Sequence, residues 1–388
     1  MSYYNKSTIF GDISTEEFLA DYWQKKPLVV RGAFTDFEMP FTAEELAGLA
    51  CDTDAPSRII IEQALPPENK PWQVKHSPFT DEDFTTLPDT HCTFLVNDLE
   101  RYIPELGNLI EPFRFIPDWR IDDLMVSFAE DKGSVGPHND DYDVFLIQGK
   151  GKRRWNIITR EEYPSELMPD LPIALLKEFE ADEEYVLDTG DMLYLPPNMP
   201  HYGIAEGPCF TFSVGFRAPR SVDLVQNWLE TFSHNKVFQQ RFNDAGRKLQ
   251  QSSGEICKDD LDALSGLVIN AIEKQQKNIK LFLGKHLTEN KGEVPQQALA
   301  EVTQEHIQSN DFERESWLRM AYTEENGIIN FFANGHHIEL TRDKKSVIQE
   351  LCENYYYTAD SLKPLIADEK FRVLLITLIS EGGIFLAE

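Results

Sequence analysis

The chain has 388 residues, of which 66 are acidic and 37 basic, for a formal net charge of −29. That length predicts about two or three domains, with cores large enough to need neither disulfides nor a structural metal. The acidity excludes a generally basic nucleic-acid surface and disfavours docking on anionic lipid, so a macromolecular partner should be basic.

Cys51, Cys92, Cys209, Cys257 and Cys352 lie far apart, without zinc-type pairing or a redox C-x-x-C, and read as free thiols of a reducing compartment. The N-terminal residues have no apolar signal core, and no run is apolar enough to span a membrane. The expected location is the cytoplasm.

In chain order, Ser14-Thr15-Glu16-Glu17 has capping-box spacing and opens a short helix through Phe18, Leu19, Tyr22 and Trp23. Leu28–Val30 reads as a strand closed by Gly32, and Thr42-Ala43-Glu44-Glu45 caps a second helix. From Arg58 to Leu95, short apolar runs alternate with Pro-rich turns. Strands are then expected at Leu124–Phe128, Asp143–Ile147, Arg154–Ile158, Glu184–Leu187, Met192–Leu195 and Phe210–Phe216. Gly149-Lys150-Gly151, Thr189-Gly190-Asp191 and Pro196-Pro197-Asn198 should turn the chain between them. Many short strands with frequent turns suggest a β-sandwich or barrel.

After Pro219 the apolar spacing becomes helical, through Val222, Val225 and Leu229 and again through Leu261, Leu264, Val268 and Ile272. Residues 246–259 form a polar connector, and 286–312 a polar link to a third unit. That unit should contain a hairpin over Ile328–Leu340 turned at Asn334-Gly335, then two helical segments and a final strand, Ile384-Phe385-Leu386.

Chemistry concentrates in Gly136-Pro137-His138-Asn139-Asp140 and in the run from Gly190 to His201. On a strand His138 and Asp140 share a face. The Gly190–His201 run has the spacing of a second cupin motif, ending on an imidazole expected to be exposed. Asn198 stands where that motif usually has glycine, and either residue tolerates positive φ. Two imidazoles and one carboxylate form the facial triad of non-haem Fe(II) oxygenases, leaving sites for a bidentate oxo-acid and dioxygen. The distal carboxylate of the oxo-acid needs a cation. Lys150, Lys152, Arg153 and Arg154 follow on the next strand, where Arg153 and Arg154 face opposite sides, so at most one enters the pocket. Many iron oxygenases put this cation about ten residues past the distal histidine, where Thr211 stands here. Ser127 could add a hydroxyl.

At these residues the sequence resembles the JmjC-type 2-oxoglutarate oxygenases, and more closely the bacterial ribosomal oxygenases that hydroxylate an arginine of large-subunit ribosomal protein L-sixteen. The likeness is carried by Phe18–Leu28, Arg120–Phe128, Val135–His138, Asp140–Gly149 and Ser213–Pro219. It implies an α+β chain: a double-stranded β-helix (cupin/jelly-roll, JmjC) catalytic domain over 1–220, a helical dimerisation region over 221–300 and a winged-helix-like domain over 301–388. It further implies His138, Asp140 and His201 as iron ligands, Arg153 as partner of the 2-oxoglutarate carboxylate with Ser127 assisting, and 3-hydroxylation of an arginine by dioxygen. An asparagine is expected at the position of Thr211. A guanidinium substrate would call for acidic groups at the pocket mouth, with Asp122, Asp123, Asp131 and Asp141 as candidates. From Asp311 onward 14 acidic residues face 8 basic ones, which argues against DNA docking by the third unit. The competing readings are the same chemistry on a histidine or lysine of another protein, and a cupin scaffold that holds metal without turnover.

Overall fold

The computed structural model describes residues 9–62, 72–290, 307 and 310–387. The two N-terminal helices form where their caps place them. Ser14 Oγ accepts from Glu17 N at the head of Thr15–Asp21, and a full capping box between Thr42 and Glu45 opens Ala43–Asp52.

Nine strands build one antiparallel sheet: β1 (Leu28–Val30), β2 (Ser57–Glu62), β3 (Trp72–His76), β4 (Cys92–Val96), β5 (Ile121–Ala129), β6 (Val144–Ile157), β7 (Glu183–Leu187), β8 (Met192–Leu195) and β9 (His201–Phe216). They lie in the order β1-β8-β6-β9-β5-β4-β2-β3, with β7 beside β6. The first half of β6 pairs with β8 and its second half with β7, so β6 and β9 run from one face of a rolled sheet to the other. This is the double-stranded β-helix.

Strand alternation sorts the two faces. Phe212, Val214 and Phe216 of β9 enter the main core with Phe145 and Ile147 of β6. Their neighbours Thr211, Ser213, Gly215, Val144 and Leu146 line a cavity instead. The core face is dense with rings: Phe145 packs against Phe18, Phe113 and Tyr194 with centroids 4.5–5.6 Å apart, a spacing that adds to the gain from burial.

One expectation fails here. Gly149–Gly151 does not turn the chain; β6 runs unbroken from Val144 to Ile157 along β9. The glycines permit irregular pairing instead, with register shifts between Gln148 and Lys150 and between Lys150 and Lys152. A Cβ on Gly149 would lie 2.6 Å from the Phe212 ring, and Gly151 has φ of +69°.

The helical region follows as Ser221–Phe232, Lys258–Gln275 and Ile279–Thr288. Much of the polar segment 286–312 lies outside the described residues. The last unit has its own core around Phe331, Leu351, Leu365 and Leu375. Its hairpin turns at Asn334 (φ 45°) and Gly335 (φ 76°), where a two-residue turn needs positive φ. Three helices follow, Lys345–Glu353, Ala359–Ile366 and Glu369–Ser380, rather than two, because Asn354 and Asp368 interrupt what reads as longer periodic segments. The final strand, Ile384–Leu386, pairs with Phe312–Arg314.

Candidate metal and cosubstrate site

His138, Asp140 and His201 converge at the cavity, their donor atoms all within 4.8 Å of one another. His201 opens β9, and His138 is held to it by an isolated antiparallel bridge rather than within a regular strand. Asp140 is fixed separately, its carbonyl accepting from Asn198 N at 2.6 Å. Asn198 has φ of 60°, the left-handed conformation its place in the motif requires. The expected exposure of His201 is wrong: it is 3% exposed, because the bridge to His138 and the Trp155 ring cover it.

Each imidazole is oriented by a second contact. His138 Nδ1 meets Gly136 O and His201 Nδ1 meets Met199 O, both at 2.9 Å. A carbonyl can only accept, so Nδ1 carries the proton in each ring and the Nε2 lone pair is presented to the cavity. Asp140 Oδ1 lies 3.9 Å from His138 Nε2 and its Oδ2 lies 3.7 Å from His201 Nε2. Burial, reinforced by the neighbouring His138, pushes His201 down to about 4, which keeps it neutral and able to ligate at physiological pH. Two imidazoles and one carboxylate suit Fe(II).

Arg153 is the basic residue of its run that enters the barrel. The shift at Gly149 puts one extra residue in β6 and sets the parity by which Arg153 and Trp155 face inward. Arg154 points out and pairs with Glu184 and Glu206, while Lys152 pairs with Asp188 at 2.8 Å. Arg153 is 3% exposed; its Nη2 lies 3.6 Å from Cys209 Sγ, and its Nε has no hydrogen-bond partner among the described residues. A buried cation with an unmatched donor is costly until an anion reaches it. The site therefore fits a dicarboxylate with one end on Arg153 and the other toward the two histidines. Ser127 and Thr211 are register partners on the same wall; Ser127 Oγ donates to Thr211 O at 3.4 Å, and Thr211 Oγ1 bonds Gln148 Oε1 at 3.1 Å.

The cavity has a volume of about 190 Å³. Of the four acidic candidates, Asp123 lines it. Asp122 pairs outside with Arg217, and Asp131 accepts from Gly207 N. The Asp123 carboxylate accepts from Asn97 Nδ2 at 3.0 Å and from Asp98 N at 3.3 Å, and enclosure pushes it up to about 6. Arg58, Asn97, Tyr142 and Trp155 also line the cavity without having been singled out from sequence. Only Trp155 carried a signal, two positions beyond Arg153 on the same strand.

This geometry agrees with what the chain resembles. A JmjC domain model matches residues 108–224, a ROXA-like winged helix model residues 271–384, and an AraC-like ligand binding domain model residues 179–276. The ribosomal protein uL16 3-hydroxylase of Escherichia coli is 30% identical over 372 residues, which is 94% of this chain and 96% of that protein. The chain belongs to the JmjC-type ribosomal oxygenases.

Other relatives of this oxygenase agree. A probable ribosomal oxygenase of Haemophilus influenzae is 36% identical over 276 residues, covering 70% of this chain and 67% of that one. The X-ray structure of Escherichia coli YcfD superposes with a TM-score of 0.81 at 30% identity, covering 97% of this chain and 99% of that one. A second YcfD structure, at a TM-score of 0.78 and covering 96% and 98% of the two chains, is a complex with cobalt and 2-oxoglutarate. The enzyme is a 2-oxoglutarate-dependent oxygenase of this family, and the His138, Asp140 and His201 cluster fits its metal triad.

Proposed function

We propose that this oxygenase hydroxylates C3 of an arginine side chain in ribosomal protein uL16, with His138, Asp140 and His201 as iron ligands and Arg153 as the anchor of 2-oxoglutarate. The observation that carries the substrate reading is Asp123, a carboxylate inside the cavity that holds the Arg153 cation and the two histidines. A guanidinium is the side chain that matches it bidentately.

When bound, Fe(II) and 2-oxoglutarate supply the oxidising power: dioxygen gives one oxygen atom to a substrate C–H bond and one to the succinate left after CO2 departs. The chain supplies position. Arg153 clasps the distal carboxylate, with Ser127 and Thr211 beside it as neutral polar neighbours. Asp123 holds the substrate cation at the other side of the cavity, so the carbon between backbone and guanidinium lies toward the histidines. Val144, Leu146 and Trp155 add apolar wall between these polar groups and limit water there.

The net charge of −29 favours encounter with a basic ribosomal protein. No helix among the described residues is long and apolar enough to cross a membrane, and a ribosomal substrate would place the enzyme in the cytoplasm. The division at 220 and 300 into catalytic, helical and winged-helix-like parts belongs to the same reading. So does a homodimer formed by the helical region, whose Val225, Leu229, Leu261, Val268 and Ile269 are 40–61% exposed. The reading is tested by succinate release from 2-oxoglutarate with Fe(II): adding uL16 should stimulate turnover, and no stimulation would refute it.

A further inference from the structure

Arg319 belongs to the C-terminal unit, yet its guanidinium is buried against the start of β5 in the catalytic barrel. Its Nε donates to Ile121 O at 3.3 Å, its Nη2 to Asp122 O at 3.2 Å, and its Nη1 to Ser316 O at 2.6 Å. Ser316 Oγ in turn donates to Glu100 O at 3.0 Å. Gly107 permits this approach, since a Cβ there would stand 2.9 Å from Ser316 Cβ. Glu100 completes the arrangement: Oε2 accepts from Leu124 N at 3.0 Å, and Oε1 lies 3.9 Å from Arg319 Nη2.

These contacts meet at an irregularity. Ile121 pairs with Phe216 and Leu124 with Val214, so β5 carries one more residue than β9 over this stretch. A bulge forfeits ladder hydrogen bonds and re-aims a side chain. Here the Arg319 and Glu100 side chains replace backbone partners, two carbonyls going to Arg319 and one N–H to Glu100. The residue between them is Asp123, which lines the cavity on the same face of β5 as Met125 and Ser127.

We propose that Arg319 is a positioning residue for substrate recognition: the C-terminal unit reaches into the barrel, holds the β5 bulge, and so aims the Asp123 carboxylate at the substrate cation. This rests on the reading of Asp123 as the partner of the substrate guanidinium. Without Arg319 the Ile121 and Asp122 carbonyls must find water, and the backbone leading into Asp123 is no longer held. Asp123 lies between the Asp122 carbonyl held by Arg319 and the Leu124 N–H held by Glu100, so freeing that backbone loosens the aim of its carboxylate. Arg319 is thus a reason for the third unit to be joined to the catalytic barrel.

The test uses the full-length, iron-loaded enzyme with uL16, and hydrogen exchange on the same proteins. Arg319→Gln should raise KM for uL16 about tenfold, within the range for coupled neighbours, with a much smaller change in kcat and in KM for 2-oxoglutarate. Amide exchange over residues 121–126 should accelerate while that of β6 and β9 near the histidines holds. Arg319→Lys, which keeps the charge but reaches the carbonyls with a single ammonium, should shift both readouts the same way by less, and it carries the test if the glutamine variant does not fold. Asp123→Asn should raise KM for uL16 as well, and adding Arg319→Gln to it should cost little more. Unchanged exchange over 121–126 would overturn the proposal. So would fully additive losses in the double variant, or an unchanged KM for uL16 in Arg319→Gln when Asp123→Asn raises it. If Asp123→Asn itself leaves KM for uL16 unchanged, the guanidinium reading falls, and exchange alone decides whether Arg319 holds the bulge.

Discussion

His138 and His201 are joined twice through the backbone, His138 N donating to His201 O at 3.0 Å and His201 N to His138 O at 2.8 Å. Their rings stand 4.3 Å apart. The two imidazoles are thus set in place by main-chain bonds and by their Nδ1 contacts before any metal arrives, so metal binding need not pay for ordering them.

His138→Ala or His201→Ala should therefore abolish both Co(II) binding, read from visible absorption, and 2-oxoglutarate turnover, while the melting temperature stays near that of the wild type. Lys152→Ala should leave both activities intact, because Lys152 lies outside the barrel on Asp188. Equal losses in Lys152→Ala and His138→Ala would refute the assignment.

Arg153→Met should raise KM for 2-oxoglutarate about 30-fold or more, since truncating one partner of a buried charge pair costs about 2–5 kcal/mol. Steady-state kinetics at saturating substrate protein checks this. An unchanged KM would move the carboxylate anchor elsewhere, with Thr211 and Ser127 the next residues to vary.

The fully buried Glu100 gives a pH prediction. Burial, opposed by Arg319 and reinforced by Asp123, raises its carboxyl from an ordinary 4.5 to about 7. Between those values the folded chain holds a proton that the unfolded chain has released, so stability falls as pH rises through the window. The loss across the whole window is about 3 kcal/mol, since each tenfold change in proton affinity is worth about 1.36 kcal/mol. Urea unfolding of Glu100→Gln, which keeps an acceptor for Leu124 N, should show a shallower decline from pH 4.5 to 7 than the wild type. Parallel curves would contradict it.

Much of the site was legible because its determinants are local. The Gly190–His201 motif encodes its own turn, and Asn198 takes the positive φ that its position implied. Strand alternation separated Arg153 from Arg154, but it was the shift at Gly149 that decided which of them faces inward. Glycine marks a turn or a bulge equally well, and the choice here depends on β9 lying alongside, which one-dimensional spacing does not carry. His201 read as exposed for the same reason, since the residues that cover it, His138 and Trp155, are 63 and 46 positions earlier. Glu100 and Arg319 were invisible altogether: neither sits in a motif, and they meet only through the packing of two units.

The exposed apolar faces of Ser221–Phe232 and Lys258–Gln275 predict a second protomer. Light scattering should report a dimer for the wild type, and paired Val225→Glu and Val268→Glu substitutions, both at exposed positions, should give a folded monomer. A wild-type monomer at micromolar concentration would remove the homodimer from the reading.

On this reading an arginine side chain is oxidised in the cavity that Asp123 shares with His138, Asp140 and His201. The decisive experiment is tandem mass spectrometry of uL16 incubated with the enzyme, Fe(II), 2-oxoglutarate and ¹⁸O₂. One labelled oxygen is expected on the C3 carbon of a single arginine, absent with His138→Ala. Succinate released without any oxygen on uL16, or a label on a histidine or lysine instead, would refute arginine as the target.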